Sequence, residues 1–195
     1  MTRMTRMTRI APKAILLAAA LSLAAAPTAF AQMAAGNPTV GGAAMPASRN
    51  IVENAVNSPI HKTLVAAVKA AGLVDTLSGR GPFTVFAPTD AAFAKLPAGT
   101  VDELVEPANK AKLTKILTAH VVPGKHSAGE LLGKAKANGG RYALKTVSGD
   151  TLTFMPSGQG LGVMDESGGT AVVTIADVNQ SNGVIHVVNN VLLPK

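Results

Sequence analysis

An α+β domain, helices first and then a mostly antiparallel run of strands, is the fold class that three features of this sequence predict. Apolar residues recur at helical spacing through the first half of the region from Arg49 to Lys195. From Arg141 onward the period changes to two, and Gly-rich or Asn-Gly turns break it into short runs. The chain is also 47% apolar but only 3% aromatic, so it can bury a core, and that core must be built from Ala, Val and Leu. Helices followed by strands, instead of alternating with them, argue against a βαβ sheet and its nucleotide-binding crevice.

The 195-residue chain begins with Arg3, Arg6, Arg9 and Lys13 and no acid, followed by an apolar run from Ala14 to Ala26. Ala29 and Ala31 flank Phe30 as an A-x-A site, which predicts a signal peptide over 1–31, cleaved before Gln32. The run is shorter than the roughly 20 residues that span a bilayer, so no permanent anchor is expected. Its removal lowers the net charge of +7 by four, to +3, and the case for a nucleic-acid partner goes with it. The protein is therefore expected outside the cytoplasm, periplasmic or extracellular. Residues 32–48 (QMAAGNPTVGGAAMPAS) carry no charge and are rich in Gly and Pro, which predicts a flexible linker ahead of one domain over 49–195.

Within the domain, Asn50 to Val56 fits a short helix. Ser58-Pro59 reads as an N-cap and first turn for a helix from Pro59 to Ala71, ended by Gly72, with Leu64, Val65 and Val68 inward. Phe83 to Ala87 is β-branched and aromatic, a short buried strand, after which Thr89 starts a helix through Lys95. Asn109 to Ala119 places Leu113, Ile116 and Leu117 on one stripe, His120 at the end of that stripe, and Lys110, Lys112 and Lys115 elsewhere. Ser127 to Glu130 is a capping box before Leu131. The predicted strands are Tyr142 to Val147, Thr151 to Met155, Leu161 to Met164, Ala171 to Asp177, and Val184 to Leu192, the last either continuous or divided.

Chemistry finds little foothold. With no cysteine there are no disulfides, thiolate metal sites or Cys nucleophiles. His120 and His126 are not at the spacing of a helical zinc pair, and GELLGK (129–134) falls one residue short of a phosphate loop. Ser181, His186 and Asp177 have the residue types of a hydrolase triad without the G-x-S-x-G elbow. Asp165-Glu166 fits a solvated loop, and His186, among Val and Ile, fits a hydrogen-bonded core residue. The expectation is no enzyme, no metal and no cofactor.

Three blocks, Thr84 to Phe93 (TVFAPTDAAF), Ile116 to Lys125 (ILTAHVVPGK) and Asn182 to Pro194 (NGVIHVVNNVLLP), resemble in order the signature segments of fasciclin domains. The VGGAAM lead-in is similar to that of bacterial secreted single-domain members. The resemblance implies a wedge of about seven strands with a flanking helical layer. It marks Thr84, Phe86, Pro88, Thr89, Asp90, Phe93, Asn182, Gly183 and His186 as motif residues. Their physics reads as structural: strand apolars anchor the core, Thr89 or Asp90 caps the following helix, and Asn182-Gly183 turns a hairpin. The resemblance also implies an adhesion module whose partner is a cell-surface or extracellular protein or polysaccharide. The segment around the family's Tyr-His pair, here Ala119 and His120, and the helix before it mark Asn109, Lys110, Lys112, Lys115 and His120 as the expected contact residues. The alternative it implies is a carrier of an apolar small molecule such as a carotenoid.

Overall fold

The computed structural model describes residues 37–158 and 160–195. Its elements are α1 (Ile51–Asn57), α2 (Lys62–Ala71), α3 (Val74–Ser78), β1 (Phe83–Pro88), α4 (Asp90–Phe93), α5 (Thr100–Val105), a 3-10 turn (Pro107–Asn109), α6 (Lys110–Ala119), β2 (Val121–Pro123), α7 (Ala128–Ala137), β3 (Tyr142–Lys145), β4 (Thr151–Ser157), β5 (Gly160–Met164), β6 (Thr170–Gln180) and β7 (Gly183–Val188). The expected signal peptide and residues 32–36 of the expected linker lie outside the described residues.

All seven strands join one sheet in the order β2-β1-β7-β6-β5-β4-β3. Neighbours are antiparallel except β1 and β7, which run parallel from Phe83 opposite Gly183 to Pro88 opposite Val188. Val147 N, just past β3, donates to Val121 O of β2 at 2.8 Å, so the two edges meet and the sheet curls nearly into a barrel. Register shifts in β6 mark bulges, and Asp177 there has φ 57, a left-handed backbone that a bulge accommodates.

Side chains alternate across a strand, so the curl sorts the apolar residues into two cores. Phe86, Val122, Phe154, Val163 and Val188 cluster inside, sealed by Leu131 of α7. Val85, Ala87, Ile185 and Val187 instead meet Leu64, Val68, Ile116 and Leu117 of α2 and α6 on the helical side. β1 and β7 are covered on both faces, which is why their sequences are apolar apart from Thr84 and His186 and show no regular alternation.

Several boundaries follow expectation: Asn50 and Glu53 form a capping box on α1, Gly72 at φ 72 ends α2, and Ser127 Oγ accepts from Glu130 N at the start of α7. The Glu130 carboxylate does not close that box but pairs with Lys134 at 2.6 Å. Others differ. Helix α2 starts at Lys62, not Pro59, because Ser58 Oγ pairs with His61 Nδ1 at 2.7 Å and is not free to cap. The helix after Thr89 is a single turn, and the last strand stops at Val188. Elements α3, α5 and β2 were not expected, since five, six and three residues hold too little periodicity to read.

The expected linker needs correction over 37–48. Val40 and Met45 are 2% and 4% exposed within the helix-side core. The Asn37 side chain donates to Met45 O and Asn179 O and accepts from Asn179 N, lacing this segment to β6.

Candidate functional site

The first and third signature blocks supply β1 and β7, the parallel pair in the interior of the sheet. Phe86 and His186 sit opposite each other, with ring centroids 5.4 Å apart. His186 Nε2 donates to His126 O at 2.9 Å, and its Nδ1 accepts from Asp177 N at 3.2 Å, which fixes a neutral imidazole protonated on Nε2. Burial holds its pKa below the usual value despite the raising effects of the His126 carbonyl and the Asp177 charge. Thr84 Oγ1 donates to Gly124 O at 2.7 Å and accepts from His126 N at 2.9 Å, pinning the loop after β2.

His120 follows the same logic with the other tautomer. Its Nδ1 donates to Ile116 O at 2.8 Å and its Nε2 accepts from Leu192 N at 2.9 Å. Burial, only partly opposed by the Ile116 carbonyl and Asp165, lowers its pKa to about 4. It therefore stitches the end of α6 to the chain beyond β7. Expected as a contact residue, His120 is 3% exposed with both ring nitrogens occupied, so it offers nothing to a partner in this fold.

Thr89 and Asp90 divide the capping role. Thr89 Oγ1 accepts from Ala92 N at 3.2 Å and caps α4, where Phe93 is buried. Asp90 reaches back in sequence: its carboxylate accepts from Thr63 N at 2.8 Å and Lys62 N at 3.3 Å, capping α2. Partial burial raises its pKa, but the bonds from Thr63 and Lys62, with nearby His61, outweigh that and leave it below the ordinary value.

The Asn182-Gly183 turn is also shifted by one residue. Gln180 pairs with Gly183, so the loop is Ser181-Asn182 and Gly183 belongs to β7. Gly183 is required by close packing, because a Cβ there would lie 2.0 Å from Phe83 O. Asn182 Oδ1 accepts from Ile51 N at 3.0 Å, while Nδ2 donates to Leu77 O and Gly79 O at 2.8 and 3.0 Å. One side chain thus ties α1 and the end of α3 to the hairpin.

On α6, Lys110, Lys112 and Lys115 are exposed beside half-buried Asn109, whose Nδ2 donates to Glu103 O at 2.7 Å. Lys115 Nζ lies 3.9 Å from Asp150 and donates to Lys195 O. Lys110, Lys112 and Lys115 thus stay accessible along α6 and Asn109 partly so, whereas His120 at its end turns inward.

The hydrolase-like set does not assemble. Asp177 Oδ1 accepts from Ala128 N at 2.9 Å, His186 meets Asp177 only through its backbone N–H, and no hydrogen bond joins Ser181 to His186 among the described residues. Asp165 is buried and not solvated, accepting from Gly169 N at 2.7 Å and Leu193 N at 2.8 Å. Among the described residues no group of three or more His, Asp or Glu gathers as for a metal, and no helix is long and apolar enough to cross a membrane. An apolar cavity of about 40 Å³ lies between α1, α2, α3 and β1, bordered by Leu64, Leu77 and His120. Sequence reasoning passed over Arg80 and Lys125, which line a cleft beside the β6–β7 hairpin, because nothing in their local sequence joins them.

A model of the fasciclin domain matches residues 59–194. Protein sll1483 of Synechocystis is 50% identical over 155 residues, covering 80% of this chain and 79% of that one. The cell surface glycolipoprotein MPB83 of Mycobacterium bovis is 35% identical over 170 residues, covering 84% of this chain and 70% of its own. Among solved structures, a FAS1 domain pair from the insect cell adhesion molecule fasciclin I superposes with a TM-score of 0.66 at 20% identity. That likeness, which is one of fold, covers 74% of this chain and 51% of the insect chain, about half its length. With the first and third signature blocks paired inside a seven-stranded, nearly closed sheet and the family model matching most of its length, this chain belongs to the fasciclin domain family.

Proposed function

We propose that this protein is a non-enzymatic adhesion or interaction module, exported by its signal peptide and binding a cell-surface, matrix or polysaccharide partner. Family membership carries the reading, since the domain is of an adhesion type and one relative is named for the cell surface. The geometry is in keeping with it: the buried polar side chains of the signature blocks are engaged in holding backbone, while the exposed cations of α6 stand in solvent. The test is to express the full chain in a secreting bacterial host, coat surfaces with the exported protein, and count attached cells against an uncoated control. Attachment above control is expected, and attachment equal to control overturns the reading. Intact mass on the same preparation checks the expected start at Gln32.

The carrier reading has one observation in its favour, the apolar cavity of about 40 Å³. Small-molecule pockets measure roughly 300–1,000 Å³, so a carotenoid would have to part α1, α2 and α3 to enter. Visible absorbance in protein isolated from its own host tests it.

A further inference from the structure

We propose that the cleft beside the β6–β7 hairpin is a subsite for an acidic sugar, one bearing a carboxylate or a sulfate, within an envelope or matrix polysaccharide. The proposal rests on the adhesion reading for its biological setting and names the partner's chemistry. The cleft has a volume of about 540 Å³, within the range of small-ligand sites and ample for one or two sugar rings. Arg80 and Lys125 line it, and no Asp or Glu does. Both cations are exposed, and neither has a carboxylate within 4 Å among the described residues. An anion entering here meets two positive charges without an ion-pair partner, the nearby Glu53 carboxylate being held by Asn50 N at 2.9 Å, and the Arg80 guanidinium offers the fork that grips a carboxylate or sulfate with two bonds.

The rest of the lining suits the remainder of a sugar. Asn50, Ser78 and Ser181 present amide and hydroxyl groups for ring hydroxyls, and Pro82 gives an apolar edge for a ring face. The floor is rigid and bare. A Cβ on Gly81 would lie 2.0 Å from Asn182 O, and one on Gly183 equally close to Phe83 O, so neither position admits a side chain that would fill the cleft. Asn182 holds this floor through its three bonds to Ile51, Leu77 and Gly79. The site is thus preformed by a turn held by these bonds and close backbone contacts, and binding need not order it.

The experiment titrates the full exported chain with polygalacturonate, dextran sulfate and uncharged dextran at low and high salt, alongside cell attachment. Binding of one or both charged polymers, weakened by salt, and none of dextran is expected; which charged polymer binds tells carboxylate from sulfate. Arg80→Gln with Lys125→Gln should lose at least about tenfold in affinity, the scale of one charge-assisted bond pair. Arg80→Lys should fall between. Lys136→Gln with Lys145→Gln, which removes the same charge from exposed positions on α7 and β3, should change affinity by less than about twofold. Undiminished binding by the cleft variant, a loss confined to Lys110→Ser with Lys112→Ser and Lys115→Ser, equal binding of dextran, or no charged polymer bound overturns the assignment. If the cleft binds acidic polymers yet cells do not attach, the subsite stands and the adhesion reading fails. If cells attach and the cleft variant binds as the parent does, the reverse holds.

Discussion

The two cores of this domain are packed to different standards. Inside the curl, Phe86, Phe154, Leu131 and Val163 are wholly inaccessible, and two phenylalanine rings meet with centroids 5.4 Å apart. On the helical side, Leu64, Val68, Leu77 and Phe93 each keep 7 or 8% exposure, and the apolar cavity lies among three of the helices. Inner side chains are enclosed by strands on most sides, whereas the outer layer rests on short helices held by individual side-chain bonds. The first region defines the fold, and the second is where shape can change without losing it.

The sharpest test compares deletions of equal kind in the two regions. Leu152→Ala, inside the curl, should cost about 4 kcal/mol, because the surrounding strands cannot collapse onto the space. Leu64→Ala, beside an existing cavity, should fall at the low end for such a change, about 2 kcal/mol. Denaturant unfolding measures both, and equal losses would erase the distinction between the cores.

A pH titration probes the seam between them. His120 has a folded pKa of about 4, whereas in the unfolded chain it returns to about 6.5. Unfolding therefore takes up a proton between those values, so stability is full above about pH 6.5 and falls as the pH drops toward 4. His120 alone accounts for about 3 kcal/mol over that window. Unfolding at pH 7 and pH 4 should show a smaller difference in His120→Gln than in the parent, and identical differences would break the account.

Helix retention on the outer side is tested by Asp90→Asn, which weakens the cap on α2 and should cost about 1 kcal/mol. The smallest effect belongs to the surface: Lys110→Ser with Lys112→Ser and Lys115→Ser should change stability by about 1 kcal/mol or less, read from the same unfolding curves. A larger loss would mean that this face of α6 is part of the packing.

What was legible in the sequence follows the same divide. The runs of β1 and β7 were visible because burial on both faces leaves a nearly continuous apolar string, broken only by Thr84 and His186, and α6 because its stripe is long enough to show a period. The parallel pairing of β1 with β7 was not visible, since a register between distant segments leaves no local mark. Val40 and Met45 read as isolated apolars in a Gly-rich stretch, although both are core. Asp90, Asn182 and Asp165 were misplaced or passed over for one reason: each bonds to backbone far off in sequence, and a polar side chain does not announce its partner. The exposure of the α6 lysines was readable, but the turn of His120 inward depends on Leu192, which only the folded chain brings near.

The parallel pairing of β1 with β7 also governs when the molecule can become itself. Phe83 must find Gly183 across about a hundred intervening residues, and no shorter-range strand pairing substitutes for that contact. Chain-closure entropy makes such a contact late and slow. A growing chain cannot join β1 to β7 until Gly183–Val188 has emerged. Delayed closure is thus built into the topology: the contact that makes the domain durable is also the one that keeps it from folding too soon.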